Sequence, residues 1–437
     1  MIVALFLFGL VSTCRGYSVL THEAIIDTAW DPAIKPLLLS RFPDATPDDL
    51  RMAHGYAYGG AVIQDMGYYP FGSKLFSDLL HYVRSGDFIE ALLRDSQDIN
   101  EYAFALGALA HYAADNNGHR IAVNKAVPML FPKLKKKYGN TVVYDQNPAA
   151  HLKTEFGFDV LQVARGRYAP DDYRDRIGFQ VAKPLLQKAF EETYSVKLDD
   201  IFTNYDLAVG TYRYSISSVI PQMTKVAWQV KKDDIQKEFP GITRKKFVYR
   251  ISRANYRKQW QGNYKQPGFG TKLLALFFRL IPKIGPFRAL AFKTPTPATE
   301  KLFITSFDDS IHDYEGLMHD YGGAGHLMLV NDNFDTGTLT GPGQYPLADK
   351  TYADLVDRLA KDHFSQVSPA LRKDLLAYYS NLNAPYANKK NKKQWAKLVM
   401  EIDDLKATSV ASNSDSSSDV CSGGDCPKFF PGDSAAQ

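Results

Sequence analysis

One stretch of the sequence, Leu106 to His119, carries three potential metal ligands at regular spacing. His111, Asp115 and His119 follow one another at intervals of four residues in a small, apolar segment that predicts a buried helix. Each step of four residues turns the side chain by only about 40°, so all three lie on one helical face. Two imidazoles and a carboxylate on one face can bind divalent metal ions. A His-x-x-x-Asp pair alone is more typical of a buried hydrogen bond than of a metal site, so the interpretation depends on further ligands elsewhere.

The spacing along this helix also indicates how many ions the face serves. With a rise of 1.5 Å per residue, His111 and Asp115 are about 6 Å apart along the axis, whereas His111 and His119 are about 12 Å apart. The first pair can reach one ion, but the two histidines cannot share one. We therefore expect this helix to contribute to more than one metal ion.

A second pair with helical spacing is His151 and Glu155. Asn147 is a suitable N-cap and Pro148 a suitable first-turn residue, so a helix is expected to begin there and to place both ligands on one face.

Further potential ligands lie earlier in the chain. His22 is expected in the first turn of a helix capped by Thr21, Asp65 in a helix end and loop rich in glycine and tyrosine, and His81 on a short amphipathic helix. Nitrogen and oxygen ligands without cysteine suit zinc in an open, catalytic site better than in a closed structural one.

In this order and at these intervals, the eight ligand types resemble the trinuclear zinc site of the zinc-dependent phospholipase C family. That family shares its fold with single-strand-specific zinc nucleases, and the resemblance covers about residues 17 to 160. It implies an all-α, multi-helix catalytic domain and three Zn²⁺ ions. The sets implied by the resemblance are Asp65, His81, His111 and Asp115 for one zinc, His119, His151 and Glu155 for a second, and His22, Asp115 and the backbone amine and carbonyl of Tyr17 for the third.

Two positions depart from the family pattern. The family usually begins its mature chain with Trp where this chain has Tyr17, but the backbone amine and carbonyl are the same groups. The gap between Asp115 and His119 is shorter than in the family.

The resemblance implies a phosphodiesterase in which a zinc-bound hydroxide attacks phosphorus, with Asp65 orienting or deprotonating the water. Phospholipid is the preferred substrate. A single-strand nuclease and a phospholipase D-like enzyme are alternatives on the same zinc site. A third alternative, from another class, is a non-catalytic protein that uses zinc to hold its helices and binds membranes.

The ends of the chain indicate its processing. The apolar run from Ile2 to Val11 is too short to span a bilayer and predicts a signal peptide over residues 1–16, hence a secreted or periplasmic protein. No later run reaches the roughly 20 apolar residues of a membrane span, so we expect a soluble or peripheral protein. The Ser/Asp-rich tail, residues 408–437, is expected to be disordered. Its cysteines, Cys421 and Cys426, either close a small disulfide loop or stay unpaired.

Between the catalytic part, residues 17–240, and the tail, the charge pattern changes. Residues 241–293 contain thirteen Lys or Arg and no Asp or Glu. Their apolar side chains, interleaved with cations, suit a segment in a membrane interface, but a core helix with solvated charges fits equally well. Aromatic residues among the cations also allow nucleic acid. Residues 294–407 are expected to form a helical C-terminal region around Glu300–Asp320, Tyr352–Ala360, Leu371–Leu382 and Lys393–Lys406.

Overall fold

The computed structural model describes residues 18–165, 179–216 and 292–408, with a few single positions between 232 and 243. These residues form an all-α fold, as the sequence predicted. The helices before the first gap are α1 (Val19–Ala29), α2 (Lys35–Arg41), α3 (Pro47–Ile63), α4 (Lys74–Tyr82), α5 (Ser85–Asp95), α6 (Ile99–Asn117), α7 (Asn124–Leu130), α8 (Pro132–Tyr138) and α9 (Pro148–Arg165). Those that follow are α10 (Lys183–Tyr194), α11 (Leu198–Ile201), α12 (Tyr205–Tyr214), α13 (Pro297–Ala324), α14 (Pro346–Ala360), α15 (Pro369–Tyr378) and α16 (Lys392–Ala407).

Short polar side chains fix where several of these helices begin. Thr46 caps α3, and its side chain and that of Asp49 bond reciprocally to each other's backbone N–H. Asp98 accepts hydrogen bonds from two backbone N–H groups at the start of α6. Asn147 accepts a hydrogen bond from the backbone N–H of Ala150 at the start of α9, as the sequence predicted. Each cap satisfies N–H groups that have no partner within the helix.

Helix α6 lies at the centre of the fold because glycines allow its neighbour to approach closely. A Cβ atom placed on Gly60 of α3 would lie 1.9 Å from the carbonyl oxygen of Phe104, and one on Gly107 of α6 would lie 2.0 Å from that of Ala57. The backbones of α3 and α6 are thus packed against each other without intervening side chains. Tyr314 of α13 contacts another part of α6 and donates a 2.8 Å hydrogen bond to the carbonyl of Leu106.

The regular α-helix that carries His111 and Asp115 ends at Asn117, and residues Gly118–Val123 form a π-helix. The sequence predicted one continuous helical face through His119, which is wrong at its last turn. A π-helix turns by a smaller angle per residue and is wider than an α-helix, so it changes the direction of His119 relative to Asp115.

The C-terminal region packs directly on the N-terminal helices. Its helices extend a few residues beyond most of the predicted limits, and α15 ends earlier, at Tyr378. Between α13 and α14 a short antiparallel hairpin pairs β1 (Asp332–Asn333) with β2 (Thr338–Leu339). Ser85 at the start of α5 donates to the carbonyl of Asp332, and the N–H of Phe334 donates to the carbonyl of His81. The hairpin therefore adjoins a helix that carries a predicted ligand.

Several predictions concern residues outside the described ranges. These are the signal peptide 1–16, nearly all of the segment 241–293 and, after Thr408, the tail. At the end of the basic segment, Phe292 is buried against Phe156, and Lys293 donates a 2.6 Å hydrogen bond to the carbonyl of Leu130. Within the described ranges, none of the helices combines the length and the apolar character required to cross a bilayer.

Candidate metal centre

Histidine 22 lies in the first turn of α1, but the start of that helix differs from the prediction. The N-cap is Ser18, and Thr21 is already within the helix. Instead of capping, the hydroxyl of Thr21 donates a 2.8 Å hydrogen bond to Asp159 of α9. Asp159 also accepts hydrogen bonds from the side chain of Ser18 and from backbone N–H groups of this first turn. A distant carboxylate thus anchors the end of the helix that carries His22.

Asp65 and His81 come from two adjacent elements. Asp65 follows the end of α3 and precedes a single 3₁₀ turn, Met66–Tyr68. His81 occupies the last turn of α4, and its Nδ1 atom lies 2.7 Å from the carbonyl oxygen of Ser77. If Nδ1 carries the proton and donates to that carbonyl, Nε2 presents its lone pair to Asp65, whose Oδ1 lies 3.5 Å away.

A first group of ligands is formed by Asp65, His81 and His111, whose ligand atoms all lie within 4.8 Å of one another. The Nδ1 atom of His111 lies 2.9 Å from the carbonyl oxygen of Ala61, so its Nε2 faces the group in the same way as that of His81. Backbone carbonyls that fix the tautomer of ligand histidines are typical of metal sites.

Asp115 connects this first group to a second one, which consists of His22, His111 and Asp115. Its Oδ2 lies 3.2 Å from Nε2 of His111 and 3.5 Å from Nε2 of His81. Its Oδ1 lies 3.4 Å from Nε2 of His22. The rings of His22 and His111 are stacked with centroids 4.4 Å apart. Because its two oxygens face different histidines, Asp115 can bridge two ions.

The third group contains His119, His151 and Glu155. Nε2 of His151 lies 2.6 Å from the carbonyl oxygen of Val142, which leaves Nδ1 to face Oε1 of Glu155 at 3.7 Å. The rings of His119 and His151 are 5.9 Å apart. The π-helix after Asn117 therefore brings His119 to α9, despite the short gap that separates it from Asp115 in the sequence.

Burial and mutual charge perturb several of these groups. Burial, followed by the charge of His111, lowers the pKa of His22 to about 3, and burial with the charge of His119 lowers the pKa of His151 to about 3. Burial acts to lower the pKa of His81 as well, but the carboxylates of Asp115 and Asp65 beside it outweigh burial and raise the pKa to about 10. Asp65 and Glu155 have raised pKa values, mainly through burial. Burial alone would raise the pKa of Asp115, yet the histidines around it hold that pKa well below its usual range.

These residues fit divalent zinc. All eight ligand side chains are buried. Four atoms that face the groups, Nε2 of His81, Nε2 of His111, Nδ1 of His151 and Oε1 of Glu155, have no hydrogen-bond partner among the described residues. Buried polar atoms without partners are rare in proteins unless an ion or water satisfies them. Two ligands of a tetrahedral zinc ion lie about 3.3 Å apart, and the shortest separations here, from 3.2 to 3.5 Å, agree with that spacing.

One predicted ligand, Tyr17, lies outside the described residues. The remaining histidines were not predicted as ligands, and none of them is in the three groups. His54 is buried between Trp30 and Tyr58 and lies 3.0 Å from Asp27. The histidines of the C-terminal region are exposed; they are His312, His319, His326 and His363.

One buried carboxylate near the ligands was missed. Asp335, in the β1–β2 hairpin, has Oδ1 at 3.7 Å from Nε2 of His119. In the sequence it stands in Asn333-Phe-Asp-Thr-Gly337, a pattern typical of a turn, and it has no companion at helical spacing. Sequence spacing offered no signal for it.

The comparisons with known proteins agree with this geometry. A family model described as zinc dependent phospholipase C matches residues 21–203, a range that contains every ligand of the three groups. A comparison with curated proteins and one with solved structures each found no match.

Proposed function

The chain belongs, through residues 21–203, to the zinc-dependent phospholipase C family of phosphodiester hydrolases, and on this basis we propose that it hydrolyses phospholipids at a three-zinc centre. The observation that carries the proposal is the position of Asp115 between two groups of ligands, with a third group that includes His119, four residues further along the chain.

When zinc is bound here, it binds phosphoryl oxygens, lowers the pKa of bound water and stabilises the leaving alkoxide. The chain's own residues supply the rest. Asp115 fixes the separation of two ions because each of its oxygens faces a different histidine. Asp65, at the end of α3, orients the attacking water and accepts its proton.

The third ion in this proposal requires a processed N-terminus. Cleavage after Gly16 frees the amine of Tyr17, which together with its carbonyl completes the set of His22 and Asp115. Cleavage also implies secretion or export to a periplasm. In support, Ser18 and Thr21 are bonded to Asp159, so the first turn of α1 is held beside the ligands.

Phospholipid is the substrate class that the sequence favours. The basic and apolar stretch within residues 241–293 has the composition of a segment that binds an anionic membrane interface. Aromatic residues among its cations favour single-stranded nucleic acid as the second candidate.

The experiment combines metal analysis with a substrate panel. Purified, processed protein is expected to contain about three zinc ions and to hydrolyse phosphatidylcholine vesicles with release of phosphocholine. Release of choline would instead assign phospholipase D-like cleavage, and preferential digestion of single-stranded DNA would assign a nuclease. Hydrolysis that persists in a protein stripped of zinc by a chelator would contradict the proposal. An N-terminal sequence that begins elsewhere than Tyr17 would contradict the set of ligands assigned to the third ion.

A further inference from the structure

The carboxylate of Asp335 is fully buried beside the third group of ligands, although it comes from a part of the chain beyond the residues that match the family. Its Oδ1 lies 3.7 Å from Nε2 of His119. Asp335 thus adjoins the group through His119.

The surroundings of Asp335 fix which of its oxygens faces His119. The hydroxyls of Tyr82 and Tyr345 both donate to Oδ2. The backbone N–H of Asp335 donates to Oδ1 of Asn333, and its carbonyl accepts a 2.8 Å hydrogen bond from the amide of Asn124. Asn124 directly follows the π-helix that carries His119. The hairpin is thus attached to the segment that positions His119, and Oδ1 is directed towards that histidine.

The distance between the two side chains indicates how they interact. At 3.7 Å, Oδ1 of Asp335 and Nε2 of His119 are too far apart for a hydrogen bond. Atoms that bind one tetrahedral zinc ion are about 3.3 Å apart. The separation equals the 3.7 Å between Nδ1 of His151 and Oε1 of Glu155 in the same group. Both separations exceed that spacing by only about 0.4 Å, so a small movement of the side chains would let each pair bind one ion.

Charge leads to the same conclusion. Glu155 and Asp335 are both buried carboxylates, and each adjoins His119. Buried like charges repel each other strongly, and a divalent cation between them converts that repulsion into attraction.

We propose that Asp335 is the fourth protein ligand of the ion that His119, His151 and Glu155 bind. Zinc with four protein ligands forms a closed site, whereas catalytic zinc keeps a position open for water or substrate. This ion of the three-zinc centre then also joins the C-terminal region to the catalytic helices, and the attacking water binds at the ions around Asp115. The proposal rests on the zinc binding in the proposed function, but not on the substrate.

The test measures zinc affinity in the full-length protein. Asp335→Asn keeps the shape of the side chain and an oxygen for the two tyrosine hydroxyls, but its amide nitrogen cannot bind zinc. Asp332→Asn in the same hairpin is the matched control, and His151→Ala is the reference for loss of a ligand. Proteins are dialysed against zinc buffers of graded free concentration, and the bound zinc is counted by mass spectrometry. We expect Asp335→Asn and His151→Ala to lose the same single equivalent of bound zinc. Each variant should lose it at a free zinc concentration at least about tenfold higher than the concentration at which the wild type loses it. Asp332→Asn should match the wild type.

Cobalt substitution distinguishes a ligand from a nearby hydrogen-bonding group. Co²⁺ in a closed four-coordinate site absorbs strongly in the visible range, and replacing a protein ligand by water changes that spectrum. We expect a changed spectrum for Asp335→Asn and an unchanged one for Tyr345→Phe, which removes one hydroxyl that holds Asp335. An Asp335→Asn protein with wild-type zinc affinity, or with weaker affinity but an unchanged cobalt spectrum, would overturn the assignment. Wild-type protein that binds no zinc would instead contradict the proposed function itself.

Discussion

The hydroxyl of Thr21 donates a 2.8 Å hydrogen bond to the carboxylate of Asp159, which joins the first turn of α1 to α9. Both helices carry ligands: His22 follows Thr21 directly, and Glu155 lies one turn before Asp159. Because Asp159 accepts hydrogen bonds from backbone N–H groups of this turn, it replaces the capping side chain that Ser18 does not provide. The interaction therefore positions His22 relative to the rest of the metal centre.

We expect Asp159→Ala to weaken the ion at His22 and Asp115 by about 10- to 100-fold, the usual effect of removing a group that orients a ligand. The first turn of α1 loses the carboxylate that accepts its hydrogen bonds. The surroundings of His119, His151 and Glu155 do not change. Zinc titration should show that one equivalent is affected. Thr21→Val should act in the same direction, and Asp31→Ala, at an exposed position, serves as the control. If Asp159→Ala bound every zinc ion as tightly as the wild type does, that result would contradict this role.

Asp115 is the residue whose loss should affect the centre most. Asn at this position keeps one oxygen but cannot bridge two cations, so we expect Asp115→Asn to reduce phosphodiester hydrolysis by at least about 1000-fold. Vesicle binding by the folded variant should persist, since the basic segment is unchanged. Asp320→Asn, on the exposed face of α13, is the control. Retained hydrolysis in Asp115→Asn would favour the alternative in which zinc only stabilises the helices.

The sequence predicted the parts of this centre that depend on local geometry. His111 and Asp115 are one turn apart on α6, and that spacing alone puts their side chains together, at 3.2 Å in the structure. The same holds for His151 and Glu155 on α9. The cap at Asn147 was visible because it acts within three residues.

Other parts depend on contacts between distant segments, and sequence spacing does not show these. Asp335 and Asp159 reach their partners only through the packing of a hairpin and a helix. The run Asn116-Asn117-Gly118 indicates an interruption of the regular helix, but it does not distinguish a π-helix from a turn. The π-helix places His119 near His151 of α9.

The close contact of α3 and α6 makes Gly107 a sensitive position. A methyl group there would lie 2.0 Å from the carbonyl oxygen of Ala57, and backbone cannot give way as a flexible side chain does. We expect Gly107→Ala to lower the free energy of unfolding by about 3 kcal/mol or more and to weaken zinc binding, because Ala61 on the displaced helix holds His111. Gly316→Ala on α13, where a Cβ meets nothing within 4 Å, should instead stabilise by about 1 kcal/mol. Urea denaturation of both variants checks the contrast.

Asp374 on α15 should make stability depend on pH. Burial, only partly opposed by Arg84 and the hydroxyl of Tyr352, raises its pKa from 3.8 to about 6. A raised pKa means that the folded state binds the proton more tightly, so this stabilising contribution is complete below about pH 4 and is lost as the pH rises through 6. Asp374→Asn, which imitates the protonated form, should therefore gain up to about 3 kcal/mol at pH 8 and close to nothing at pH 4. A gain that is the same at both pH values would show that the carboxylate is not the cause.

The basic segment provides the last prediction, which separates membrane binding from catalysis. Arg279, Lys283 and Arg288 are spaced among large apolar side chains, and each cation near an anionic surface contributes about 1 kcal/mol of attraction. Replacing all three by Glu should weaken binding to vesicles that contain anionic lipid by 100-fold or more, most strongly at low salt, where screening is weakest. Hydrolysis of a soluble, short-chain phosphodiester should not change, since the zinc ligands are intact. Sedimentation with vesicles and a parallel assay on the soluble substrate measure the two effects. Unchanged sedimentation of the triple variant would assign residues 241–293 to a different role, with the core helix as the first alternative.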